Sequence, residues 1–270
     1  MSWLFPKLER IAPSLANRYF IYIFFTPFHY KEPDNEKEFL KTSAMFQVNI
    51  DGKRIQCYRW GTSGPKVMVI HGWAGRTGQF RKLIPALVDG GFQVIAFDGP
   101  AHGRSDGKQT NLMEFGAVMK KLIEVEGNFA GAIGHSFGGI AAMFAVAHGV
   151  NIPKLITISS PTIPSQVISN FRRAINASEK VATALNAFLL KKYGKPFEHF
   201  SGIQAIKVLQ NPLDLLLVQD ENDPEVAVEN ATELKKIYPA ASIHITKGLG
   251  HTRILRDEQV ISRCLNFLRS

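Results

Sequence analysis

A serine hydroxyl does not attack a carbonyl unaided at neutral pH. It has to be presented bare, beside a base, with donors waiting for the oxyanion that the attack creates. The run Gly134-His135-Ser136-Phe137-Gly138-Gly139 has the form Gly-x-Ser-x-Gly. It follows directly on the apolar stretch Ala130-Gly131-Ala132-Ile133 and opens an alanine-rich helical stretch. Strand, sharp turn and helix in that order set this occurrence apart from the many chance matches in loops. Gly134 and Gly138 permit the close backbone approach that larger side chains would block. Ser136 is therefore the candidate nucleophile, and acyl transfer the candidate chemistry.

Such a turn requires two backbone N–H groups for the oxyanion, one after the nucleophile and one from the loop after an early strand. Phe137 supplies the first. Val69-Ile70-His71-Gly72-Trp73 ends a strand with a His-Gly turn and puts the Trp73 amide in position for the second, with His71 read as structural.

The elements that must carry these groups follow from periodicity. Met45 to Ile50 and Ile55 to Trp60 flank the turn signal Asp51-Gly52-Lys53-Arg54, which predicts a hairpin. Short apolar runs then alternate with helical spacing, the pattern of a doubly wound, mostly parallel sheet. Strands are predicted at 67–70, 94–97, 130–133, 155–158, 215–218 and 243–246, and helices at 79–88, 112–125, 138–147, 225–237 and 258–268. About fifty residues separate Pro161 from Pro212, too many for an ordinary connection, and predict an inserted helical cap with helices over 165–177, 178–193 and 201–209. Its apolar residues, Phe171 and Leu185 among them, are read as sealing the cap onto the body. Residues 1–36 are expected to form a helical segment and a linker (31–37), 37–161 with 212–270 the α/β core, and 162–211 the cap.

Bulk properties narrow the rest. A chain of 270 residues, 45% hydrophobic and 20% charged, is that of a globular enzyme. The net charge of +9 is spread without a basic block or a nucleic-acid-binding signature, so nucleic acid is not an expected partner. Cys57 and Cys264 have no disulfide or zinc spacing, which favours a reducing, cytoplasmic setting with neither metal nor cofactor. The aromatic run Tyr19 to Phe25 follows Lys7, Arg10 and Arg18 and stops at Pro27, far short of the about twenty residues that span a bilayer. A helix packed on the domain or across the site mouth is favoured there over an interfacial membrane anchor.

On these motifs the chain from Met45 onward resembles the α/β-hydrolase superfamily, and it is similar throughout to a loosely characterised group of bacterial hydrolases. Asp98-Gly99-Pro100-Ala101-His102-Gly103-Arg104-Ser105 resembles that family's glycine-rich loop, with Ala101 for the usual glycine, and in the family it is scaffold. Leu216 to Val226 resembles the strand end that bears the family's acid, which places it at Asp223, with Asp220 and Glu221 as rivals because Gln219-Asp220 replaces a common His-Gly pair. Gly248-Leu249-Gly250-His251-Thr252 resembles the segment bearing the family's histidine, His251. The order Ser136, Asp223, His251 is the family's.

The resemblance implies an α/β-hydrolase fold with a cap and hydrolysis through a Ser136 acyl-enzyme. A carboxylic ester with a small to medium hydrophobic group is the first choice of substrate. Thioesters, lactones, amides and carbon–carbon bonds beside a ketone stay open, as does a triad-bearing binding or signalling protein with little turnover. The remaining histidines, His135 included, take structural readings. Basic cap residues Arg172, Arg173, Lys191 and Lys192 are read as mostly solvated, with contact to an anionic group as the alternative.

Overall fold

Period-two apolar runs and helical stretches that alternate along a chain bury both kinds of face only by stacking helices on a sheet. The computed structural model describes residues 3–270 and has that arrangement. It opens with helices α1 (Phe5–Ile11), α2 (Pro13–Phe24) and α3 (Asp34–Leu40), then the hairpin β1 (Ala44–Ile50) and β2 (Lys53–Trp60). There follow β3 (Lys66–Ile70), α4 (Leu83–Asp89), β4 (Gln93–Phe97), α5 (Leu112–Glu126), β5 (Gly131–His135), α6 (Phe137–Ala147) and β6 (Lys154–Ile158). Helices α7 (Pro164–Ala174), α8 (Lys180–Tyr193) and α9 (Gly202–Lys207) stand between β6 and β7 (Asp214–Asp220). The chain ends with α10 (Glu229–Ile237), β8 (Ser242–Thr246), α11 (Gly250–Arg253) and α12 (Glu258–Arg269).

The eight strands form one sheet in the order β1-β2-β4-β3-β5-β6-β7-β8, antiparallel through the hairpin and parallel from β4 to β8. β4 lies on one side of β3 and β5 on the other, so the strand order reverses there. A crevice opens beyond the carboxyl ends of strands at such a reversal, and ligands bind in it. Alternation along β3 sends Met68 and Ile70 to the face covered by α5 and α6, and Val67 and Val69 to the face covered by α4 and α12. Each aliphatic side chain buried this fully contributes about 1.5–3 kcal/mol.

A third apolar cluster contains no strand residue. Phe5, Ala16, Phe20 and Ile23 of α1 and α2 pack against Val181, Leu185 and Leu189 of α8. Edge-on aromatic contacts reinforce it, with Phe171 5.5 Å from Phe20 and 5.2 Å from Phe24. The loop after β4 ties down the far end of α2, where the Thr110 amide donates to the Phe25 carbonyl at 3.0 Å.

Several elements differ from the sequence expectation. The first segment is two helices, because Pro13 disfavours helical geometry at Ala12, which sits at φ −141° and ψ 70°. The expected linker 31–37 becomes α3 from Asp34 onward: Pro33 precedes it, Asp34 and Glu36 charge its first turn, and buried Leu40 joins the sheet core. The hairpin turn is only Asp51-Gly52, both at positive φ, and β2 begins at Lys53. A 3₁₀ turn at Thr77–Phe80 precedes α4, which begins only at Leu83. α10 starts at Glu229 rather than Glu225, because the Glu225 and Val226 amides donate to Asp223 instead. Cys57 and Cys264 are buried, unpaired, and lie in different cores. Among the described residues no helix is long and apolar enough to cross a membrane.

Candidate active site

One residue separates β5 from α6. It is Ser136, held at φ 50° and ψ −121°, a conformation costing a non-glycine residue about 1–3 kcal/mol. The surroundings over-determine it: the Ser136 amide donates to the Ile158 carbonyl at 2.8 Å, and the Gly139 amide to the Ser136 carbonyl at 3.0 Å. A methyl group on Gly134 would lie 2.5 Å from the Gly139 Cα, and one on Gly138 would lie 2.4 Å from the Ile70 carbonyl oxygen. Only glycine lets the start of α6 press this closely onto β3 and β5. Ser136 opens into a cavity of about 720 Å³.

The loop after β3 runs against it, since a methyl group on Gly72 would come within 2.9 Å of the Ser136 Cβ. Trp73 and Phe137 follow Gly72 and Ser136, line the same cavity, and set their rings edge to face at 5.2 Å. Two buried histidines fasten this loop. The His71 Nδ1–H donates to the Gly72 carbonyl at 2.7 Å while its Nε2 accepts from the Gly99 amide at 2.8 Å. The His102 Nδ1–H donates to the Pro100 carbonyl, and its Nε2 accepts from the Ala74 amide at 3.0 Å. Burial pushes His71 down to about 4 and His102 to about 3, so both are neutral. The Asp98 carboxylate gathers the Tyr58 hydroxyl and the Thr77 and Arg104 amides, each within 3.0 Å. Ser105 joins this network, its hydroxyl donating to the Asp98 carbonyl and accepting from the Gln56 amide, so Asp98, His102 and Ser105 hold the loop in place.

The remaining pair comes from the ends of β7 and β8. The His251 Nδ1–H donates to Asp223 Oδ2 at 2.8 Å. Asp223 Oδ1 accepts from the Glu225 and Val226 amides at 2.8 and 3.0 Å. Burial works to raise the Asp223 pKa, but the His251 bond and these amides outweigh it and hold the carboxyl below its ordinary value. Its rivals are engaged elsewhere. Asp220 accepts from the Thr246 hydroxyl and the Leu249 amide at 2.8 and 2.9 Å, which ties β7 to the loop carrying His251. Glu221 pairs with exposed Lys247.

Residue order did not place two further side chains beside His251: His135, read as structural, and Glu225, read as the start of a helix. The His135 Nε2–H donates to the His251 carbonyl at 2.9 Å, the two rings lie 4.7 Å apart, and the buried Nδ1 has no partner among the described residues. Burial first, and then the neighbouring His251, push His135 down to about 3. Its only signal in the sequence is its place between a buried strand and Ser136. Glu225 Oε2, on a side chain that is 65% exposed, lies 3.6 Å from His251 Nε2. No hydrogen bond among the described residues joins Ser136 Oγ to Nε2, and His251 lines a smaller recess that shares Pro224 and Glu225 with the main cavity. Bonds of this kind are often long without substrate and tighten in the complex.

The cavity walls are largely apolar, with Phe24 and Phe25 from the end of α2, Phe171 from α7, and Ile140 from α6. Arg173 reaches the cavity and donates to Asn170, Arg172 pairs with Glu179, and Lys191 and Lys192 lie at the surface. Among the described residues no group of three His, Cys, Asp or Glu side chains is set to hold a metal ion.

A family model described as the alpha/beta hydrolase fold matches residues 65–255, which include the Ser136 turn and both loops that meet at His251. The chain belongs to that family. A serine hydrolase-like protein of Danio rerio is 27% identical over 147 residues, 50% of this chain and 45% of that one. An sn-1-specific diacylglycerol lipase of Xenopus laevis is 23% identical over 79% of this chain and 82% of its own. The chain spans about half the length of several of the curated relatives that it matches, and about a third of others. Among solved structures, an esterase of Pyrococcus furiosus superposes with a TM-score of 0.68 at 20% identity, covering 91% of this chain and 97% of that one. That likeness establishes the α/β-hydrolase fold.

Proposed function

We propose that the chain is a serine esterase: it hydrolyses a carboxylic ester carrying a small to medium hydrophobic group through an acyl-enzyme on Ser136. The observation that carries this reading is the buried Asp223–His251 hydrogen bond of 2.8 Å beside the strained Ser136 turn. Ser136 Oγ attacks the carbonyl carbon while His251 Nε2 takes its proton. Asp223 stays ionised, fixes the imidazole tautomer and stabilises the imidazolium. The Trp73 and Phe137 amides donate to the oxyanion, aided by the positive end of α6. The ester C–O bond breaks, His251 returns the proton to the departing alcohol, and water then releases the acid by the same steps in reverse.

Residues 37–161 and 212–270 carry this chemistry in the proposal. Residues 162–211 act as the cap, with the helices before Pro27 completing its wall. The phenylalanines lining the cavity favour an apolar acyl or alcohol group. The two buried, unpaired cysteines favour a reducing compartment, the cytoplasm. A panel of p-nitrophenyl esters from acetyl through octanoyl to palmitoyl, run beside a thioester and an anilide, tests the reading. Ester turnover that peaks at a medium chain and vanishes in Ser136→Ala is expected. Ester turnover no faster than that of Ser136→Ala, or faster cleavage of the thioester or the anilide, overturns it.

A further inference from the structure

On α2 the buried residues Ala16, Phe20 and Ile23 recur at helical spacing and face the cluster built on α8. Leu15, Arg18 and Tyr22 recur at the same spacing and face away. On α1 Phe5 is buried, while Leu4, Lys7 and Ile11 are exposed. The outer face of the two helices is therefore a row of apolar and basic side chains. Ile11 is 82% exposed and Trp3 70%. Single exposed apolar residues are ordinary, but their recurrence beside basic residues along two successive helices points to an interaction surface.

Charge selects the partner. The two helices and the residues just before them carry Lys7, Arg10 and Arg18, none of them in an ion pair among the described residues. Their one acid, half-buried Glu9, is engaged by exposed Ser178, whose amide and hydroxyl donate to its carboxylate at 2.9 and 2.7 Å. What faces outward is cationic and apolar, with Trp3 under the Lys7 ammonium at 3.4 Å and Tyr22 farther along. Tryptophan and tyrosine favour the level of lipid headgroups, and basic residues favour anionic lipids. At twelve residues α2 is about 18 Å long, too short to span a bilayer but suited to lie along one.

We propose that the outer face of α1 and α2 is a docking surface for an anionic lipid bilayer, with the helices lying in the interface. The same helix that rests on the lipid ends in Phe24 and Phe25, which wall the cavity containing Ser136. Docking therefore brings the wall of the cavity to the lipid boundary. Binding does not depend on turnover, so the Ser136→Ala protein docks as the wild type does.

Co-sedimentation of the full chain with phosphatidylcholine vesicles, with and without phosphatidylglycerol, tests the proposal. Pelleting with the anionic vesicles and its loss at high salt are expected. Partitioning should fall about tenfold or more in Lys7→Glu/Arg18→Glu and in Ile11→Ser/Leu15→Ser. Both variants alter only outward side chains and should keep the wild-type melting temperature and turnover of a soluble ester. Equal pelleting with and without phosphatidylglycerol, or unchanged partitioning in both variants, overturns the proposal. So does a dimer in size-exclusion chromatography that Ile11→Ser/Leu15→Ser dissociates, which would assign the face to a second copy.

Discussion

The two halves of the candidate site are built by different means. Below the cavity, at the carboxyl ends of β3, β4, β5, β7 and β8, the carboxylate and imidazole side chains around Ser136 are held by short directional bonds: Asp223 to His251, His135 to the His251 carbonyl, His102 to the Ala74 amide. Above it, the helices before Pro27 and α7 and α8 meet through aromatic and aliphatic surfaces with few polar ties. Directional bonds fix where a proton or an electron pair goes. Apolar packing fixes only volume and shape. The lower half therefore sets the reaction in this account, and the upper half sets what may enter.

The largest effect that could break this division lies in the lower half. Asp223→Asn should lower kcat/KM for an activated ester by about three to four orders of magnitude, because the amide supports the wrong imidazole tautomer. Asp220→Asn should cost about tenfold and lower the melting temperature, since Asp220 anchors the Leu249 loop without touching the imidazole. Steady-state kinetics on the two purified variants decides it, and comparable losses would remove the distinction between the two acids. In the upper half, fully buried Phe20 packs on Phe171, which lines the cavity. Phe20→Ala should cost about 3–5 kcal/mol in denaturant melts and raise KM for octanoyl esters about tenfold, with kcat for acetyl esters little changed. An equal fall in kcat on both esters would show that the two halves are not separable.

Acid should act on the lower half first. His71, His102 and His135 are neutral in the fold, at about 4, about 3 and about 3, against 6.5 in an unfolded chain. Below about pH 6.5 the unfolded state binds protons that the folded state refuses, so stability is full above that pH and is lost as pH falls toward about 4 and then about 3. The depressed pKa values of Asp220 and Asp223 add a further loss only below the ordinary carboxylate range. A melting temperature that falls steadily from about pH 7 to about pH 5 is expected. A flat profile over that range would contradict the neutral assignment. The smallest expected effect concerns Glu225, whose carboxylate lies 3.6 Å from His251 Nε2 and should disfavour anionic substrates by like charge. Glu225→Gln should raise kcat/KM for a hemisuccinate ester severalfold over that for a neutral butyrate ester, and an unchanged ratio would remove Glu225 from the selectivity of the site.

The same contrast governs what could be read from residue order alone. Ser136 was legible because a strand, a strained turn and a helix each leave a mark within a few neighbouring positions. The place of Trp73 on the cavity wall was legible for the same reason, just past the end of β3. His135 was not, because its partner is the backbone carbonyl of His251, which any residue type there would offer. Asp220 ends β7 and Asp223 lies three positions on in the turn that follows, and only three-dimensional placement shows which carboxylate reaches the imidazole. The apolar face of α2 was visible, but periodicity does not say what covers a face. Its cover is α8, more than a hundred residues onward. Helix α3 was missed because seven residues are too few for a helical period to emerge.

Each step of the proposed reaction needs Ser136 to be a live nucleophile, and a fluorophosphonate probe measures that directly. The wild-type protein should take up one equivalent of probe at neutral pH, Asp223→Asn should label far more slowly, and Ser136→Ala should not label. Labelling that survives Ser136→Ala, or a wild-type protein that folds normally and never labels, would contradict it.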